Sequence, residues 1–220
     1  MEIKTRKILP KVLSLTFENC YELAMSFVRF QENYESPEFR NKYFTLEEFM
    51  DYWAREQGKG SFDYPVRWSG FNIPGKILKD WVNHYGITER EKEEELLDKI
   101  LTRYDFEELS DIYIVGVSKD SPNRKRIVDH EVAHAMYTLY PKYKKSCSKL
   151  LTKLRSTPVG DLIYKGMEEE LLKMGYCEEV IEDEMQAYWS VPENYALHDT
   201  CETLMELESN YRKYRKEICN

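Results

Sequence analysis

The stretch D-I-Y-I-V-G-V-S at 111–118 alternates in polarity and is rich in β-branched residues, which makes it the clearest strand in the chain. The residues just beyond it constrain the fold most. K-D-S-P-N is a turn in which Ser121 suits a helix cap and Pro122 a first helical position, where a missing N–H costs nothing. The next proline is Pro141, so a helix is expected to run to about Tyr140. A strand, a capped turn and a long helix thus occupy the middle of a 220-residue chain.

Strand-like patterns lie mainly before this unit and helical ones after it. Val12 to Phe30 is rich in β-branched and aromatic residues and is expected to supply one or two strands, the second near Leu23 to Phe30 as a partner for 111–118. Residues 44–55 read as a helix with Thr45 as N-cap and Glu48 completing a capping box. Ile77 to Tyr85 and Ile87 to Tyr104 are also expected to be helical, the latter capped by Thr88. Beyond Pro141 the reading is a mixed loop with short helices (142–158), then helices near 159–174, 178–190 and Asp199 to Glu217. The expectation is an α+β fold and a single domain, 1–220, with a small mixed sheet in a lobe spanning 1–120 and a helical lobe spanning 121–220.

Composition removes several function classes. Hydrophobic residues at 42% are enough to bury a core, and a net charge of −8 argues against a nucleic-acid partner. No apolar run is long enough to span a bilayer, and M-E-I-K-T-R-K-I-L-P has no apolar signal core, so a cytoplasmic protein with no membrane partner is expected. The five cysteines are dispersed without a C-x-x-C pair, which reads as reduced thiols rather than a thiolate metal site. The irregular stretch 57–75 carries Phe62, Tyr64, Trp68 and Phe71 and must pack, either as a cap on the core or as a groove wall. Basic patches at 124–126 and 141–149 read as solvated faces that would also suit an acidic substrate.

Chemistry enters at V-D-H-E-V-A-H-A-M-Y, 128–137. On a helix, His130 and His134 project from one face one turn apart, so two imidazole nitrogens can meet at one metal ion. Glu131 is rotated by about 100° from His130, beside the metal rather than on it, where it can take a proton from an attacking water. The plain alternative is a surface pair of histidines. With four histidines in the whole chain (His84, His130, His134 and His198), a chance H-E-x-x-H is rare.

These residues resemble the zincin metallopeptidases, and the resemblance covers the motif helix and its neighbours rather than the whole chain. It implies zinc on His130 and His134, with Glu131 as general base. The extended metzincin pattern would need glycine at 137 and histidine at 140, where this chain has Tyr137 and Tyr140. The gluzincin type takes a glutamate from a downstream helix instead, and E-V-I-E-D-E-M-Q-A-Y-W at 179–189 offers Glu184, with Glu182 or Asp183 as fallbacks. Position 188 is Tyr rather than the aspartate of an E-x-x-x-D pattern, which leaves Asp183, Asp199 or a backbone carbonyl to orient the histidines. His198 and Tyr195, soon after that helix, are candidate donors to the oxyanion of a scissile carbonyl. The expected function is a zinc-dependent hydrolase acting on a peptide or protein substrate, and the alternative is an inactive zincin-like binding module with structural zinc.

Overall fold

The computed structural model of the chain describes residues 2–86, 91–193 and 195–219. It is α+β and divides into two compact units, Met1–Val128 and Asp129–Asn220. The first unit holds a four-stranded mixed sheet in the order β1-β2-β4-β3, formed by β1 (Lys4–Leu9), β2 (Val12–Phe17), β3 (Gly70–Pro74) and β4 (Tyr113–Ser118). β2 and β4 run parallel, with Val12 opposite Tyr113, while β1 and β3 are antiparallel to their neighbours. Every residue of β4 is buried. That strand is hydrogen-bonded along both sides, so it cannot accept an extended peptide; the edges of the sheet are β1 and β3. β1 carries Lys4, Arg6 and Lys7, the charged composition that keeps an edge from pairing with other chains.

The segment expected to give a second strand at Leu23–Phe30 is helical. Asn19 caps α1 (Cys20–Glu35) by accepting from the backbone N–H of Glu22 at 2.8 Å, and Leu23, Phe27 and Phe30 recur at helical spacing on its buried face. The aromatic and β-branched residues that suggest a strand are there to pack on the sheet. Phe27 lies 5.9 Å from Phe17 and 5.6 Å from Phe71, ring centre to ring centre. A Cβ on Gly116 of β4 would come within 2.7 Å of both Leu23 and Phe27, so glycine permits this close approach. The partners of β4 are therefore β2 and β3 rather than residues of α1.

Around this core lie α2 (Leu46–Glu56), α3 (Tyr64–Arg67), α4 (Gly75–Tyr85) and α5 (Glu91–Leu101), with a 3-10 turn at Phe106–Asp111. α2 has the expected capping box of Thr45 and Glu48. Thr88 lies outside the described residues. The aromatic stretch resolves as core: Tyr64 and Phe71 are buried, and Phe62 and Trp68 pack against the same cluster.

The motif helix, α6 (Arg124–Leu139), begins later than expected. Ser121 donates to the carbonyl of Ser69 instead of capping it, and Asn123, in the left-handed region, offers its carbonyl to the N–H groups of Arg126 and Ile127. Pro141 ends this helix by starting another. α7 (Pro141–Arg155) replaces the expected mixed loop, with Tyr143, Cys147, Leu151 and Leu154 on its buried face. Then come α8 (Pro158–Met174), capped by Thr157 and stopped by left-handed Gly175, a 3-10 turn at Glu178–Val180, α9 (Ile181–Ser190), α10 (Tyr195–His198) and α11 (Glu202–Cys219). α7 and α9 both pack along α11. No helix among the described residues is long and apolar enough to cross a membrane, and no disulfide is formed among them.

Candidate metal centre

Residues 131–137 of α6 are all buried, so this stretch of helix is enclosed by protein around its whole circumference. Ala133 and Ala135 let neighbours approach closely, and Val132 and Met136 fill the remaining space. Burying Glu131 and His134 in such a helix is costly unless they are paired. α9 provides the pairing for His134. It is also enclosed, and it brings Asp183, Glu184 and Gln186 inward while Glu182 stays exposed.

His130, His134 and Glu184 converge. The two Nε2 atoms are 3.2 Å apart, His134 Nε2 is 3.5 Å from Glu184 Oε1, and His130 Nε2 is 4.0 Å from Glu184 Oε2. Among the described residues this is the one group of three or more such side chains whose donor atoms all lie within 4.8 Å. Zinc binds imidazole nitrogen and carboxylate oxygen at about 2.0–2.2 Å, which places tetrahedral donors roughly 3.4 Å apart, so the spacing fits one ion. Two imidazoles and one carboxylate suit late first-row metals better than magnesium or calcium, which prefer all-oxygen sites. Glu184 Oε2 is buried and accepts no hydrogen bond from the described residues, as expected of an atom whose natural partner is a cation.

Asp183 plays a different part from its neighbour. Its Oδ1 lies 3.0 Å from His134 Nδ1, and a carboxylate can only accept, so Nδ1 carries the proton and Nε2 faces the other donors. This is the arrangement in which a histidine ligates through Nε2 while a carboxylate behind it holds the ring. Tyr188, at the position where an E-x-x-x-D pattern would have aspartate, instead sets its ring edge-on to His130, with centres 4.6 Å apart.

Electrostatics report the same crowding of negative charge. Burial pushes the Glu184 carboxyl up to about 8, opposed by His134 and reinforced by Asp183 and Glu131. Burial would lower the His134 imidazole, but Glu184, Asp183 and Glu131 outweigh it and hold the group well above its ordinary value. Without a metal, the raised values of these two groups favour protons that reduce the negative charge of the cluster, as a cation would. Both folded-state values are raised, so the stability they contribute is complete at low pH and is lost as pH rises, for Glu184 from its ordinary 4.5 through about 8. The metal-free protein is therefore expected to unfold at progressively lower temperature from about pH 5 to about pH 9, while a bound divalent cation opposes that trend. Thermal unfolding with and without metal across this range tests the point: the gap between the two midpoints should widen with pH, and a constant gap would contradict it.

Of the other candidates, Glu131 is 6% exposed, on the motif helix beside the triad, near enough for its charge to act on His134 and Glu184. Tyr137 is buried, with its hydroxyl 3.4 Å from Glu182 and Lys144 over its ring, so it belongs to the packing. His198 is buried, with Nε2 3.7 Å from Glu208 Oε2, and is not among the converging donors. Tyr195 opens α10, and its side chain lies outside the described residues. His84, in the first unit, stacks on Tyr43. Two residues of the site are not evident from the sequence, Gln186 and Tyr143: Gln186 donates to Asp183 Oδ1 at 2.9 Å and accepts from the Tyr143 hydroxyl at 2.8 Å. The signal for Gln186 is its place one turn beyond Asp183 on the same face, whereas Tyr143 sits in a lysine-rich segment that reads as loop. Comparison of the chain with protein-family models, with curated proteins and with solved structures gives no match.

Proposed function

We propose that this chain is a zincin-type, gluzincin-like zinc-dependent hydrolase that cleaves peptide bonds in a peptide or protein substrate. The observation that carries the reading is the convergence of His130, His134 and Glu184 within 4.8 Å, beside a buried Glu131 one residue round the helix. A zinc ion held there supplies Lewis acidity, lowering the pKa of water to about 7 and polarising a carbonyl. Glu131 removes the proton from the attacking water and later delivers it to the leaving amine. Asp183 keeps the His134 ring turned so that Nε2 is the nitrogen presented to the metal. His198 and Tyr195 stand as candidate donors to the oxyanion.

The test uses the full chain without a histidine tag, stripped of metal and then reloaded. One zinc per chain by elemental analysis is expected, together with cleavage of a proteome-derived peptide mixture read by mass spectrometry, lost with a chelator and restored by zinc. Failure to take up metal in stoichiometric amount overturns the reading. Tight zinc binding without cleavage would identify the chain instead as a zincin-like binding module with structural zinc.

A further inference from the structure

Behind the donor triad lies a run of polar side chains that should not be buried without a reason. Gln186 is fully buried, as is Tyr143, and Ser190 nearly so. Gln186 uses both ends of its amide along one line, and the Tyr143 hydroxyl continues it. Asp183 Oδ1 accepts from His134 Nδ1 at 3.0 Å and from Gln186 Nε2 at 2.9 Å. Since the Gln186 amide must turn its nitrogen toward a carboxylate, its oxygen faces Tyr143 and accepts from that hydroxyl at 2.8 Å. The Tyr143 oxygen is then left as an acceptor, and Ser190 Oγ lies 3.3 Å from it. One fact, that a carboxylate only accepts, fixes the direction of the bonds from His134 out to Tyr143.

We infer that Gln186 and Tyr143 are positioning residues for the metal: they hold Asp183 at the angle that keeps the His134 imidazole with its Nε2 turned toward Glu184 and His130. The inference rests on the proposed metal site and extends it to residues that touch no ligand. The geometry favours a directional role over simple filling of space. Asp183 lies in the first turn of α9 and, without Gln186, its carboxyl group could rotate about its side-chain bonds and take the His134 ring with it. Gln186 sits one turn along the same helix, and Tyr143 reaches it from α7, so the orientation of the carboxylate is set by two helices rather than by one. A methionine or leucine at 186 would fill the same volume and pack as well in an apolar setting. An amide is needed there only if its two ends have separate partners.

The experiment measures zinc affinity by competition with a chromophoric chelator for the wild-type chain and for three variants, Gln186→Met, Tyr143→Phe and Met185→Leu. Met185 is buried on the same helix and makes no polar contact in this line, so its variant reports the effect of disturbing the packing alone. Gln186→Met is expected to weaken zinc binding by about 10- to 100-fold and Tyr143→Phe by a smaller factor in the same direction, the usual scale for residues supporting a ligand. Met185→Leu is expected to bind as the wild type does. The inference is overturned if Gln186→Met binds zinc within twofold of the wild type, or if Met185→Leu weakens it as much. Should Gln186→Met fail to fold, Tyr143→Phe decides, since it removes a single oxygen: unchanged affinity overturns the relay. A wild-type chain that takes up no zinc sinks the metal reading itself, an outcome distinct from wild-type binding that is matched by the variants.

Discussion

Glu131→Gln is expected to keep one zinc per chain and to lose peptide hydrolysis by roughly a thousandfold, within the 10²–10⁴ range that a positioned general base contributes. The two halves of this result come from the helix. Glu131 follows His130 by one residue, so it is turned by about 100° from the ligand direction, and it is not a member of the converging triad. An amide of the same shape preserves the packing of a position that is 6% exposed, but it cannot accept the proton. Glu131 does act on the site through its charge, because it helps to raise both His134 and Glu184. Neutralising it removes one attraction for a cation, so zinc affinity is expected to fall by less than about tenfold. Zinc content and kcat/KM on a peptide cleaved by the wild type check both parts. Full activity in the variant would remove Glu131 from the mechanism, and loss of zinc would place it among the ligands.

The parts of this fold legible in the sequence are those governed by local rules. The capping box of Thr45 and Glu48 needs only four residues to form, and the strand at 113–118 announces itself through its β-branched residues, although it is buried on both faces rather than alternating between core and solvent. The two histidines on α6 are legible for the same reason, since a spacing of four on a helix is local geometry. Where tertiary packing overrides composition, the sequence misleads. α1 carries Phe27, Val28 and Phe30, residues that favour strands, yet they lie in a helix buried without a break from Leu23 to Gln31, where Phe27 packs on rings of the sheet contributed by distant segments. β3 is short and lies among glycine, proline and aromatic residues, and it becomes a strand because β4 offers an open edge. α7 hides its buried face of Tyr143, Cys147, Leu151 and Leu154 among lysines that point outward. With α7 hidden, Tyr143 is hidden too, and so is the support behind Asp183. Glu184 stands out in the sequence as the preferred ligand, but Asp183 remains there both a fallback ligand and one of several groups that could orient a histidine, and only the rotation of α9 sets its Oδ1 3.0 Å from His134 Nδ1.

That rotation leads to the largest expected loss of metal. Glu184→Gln and His134→Ala should each weaken zinc binding by on the order of a thousandfold or more, since zinc affinities worth roughly 10–16 kcal/mol are shared among three or four donors. Glu182→Gln, two residues away on the exposed side of α9, should leave affinity unchanged. Asp183→Asn should fall between them, at about 10- to 100-fold, because the asparagine oxygen can still accept from His134 Nδ1 but bears no charge. The ranking matters more than any one value. If α9 were turned by one residue so that Asp183 were the ligand, the effects of 183 and 184 would exchange; if the acidic run were a solvated patch, all three would be small. Stability separates the roles further. Glu184→Gln removes a buried carboxyl group whose ionised form burial disfavours, raising its pKa to about 8, so the metal-free variant is expected to be at least as stable as the wild type near pH 8 while being unable to gain from zinc. A triad built for structure alone would lose stability on the same substitution, whereas a carboxylate kept in place for a cation would not. Unfolding of metal-free wild type and Glu184→Gln at pH 8, with zinc then added to each, distinguishes the two in a single pair of measurements.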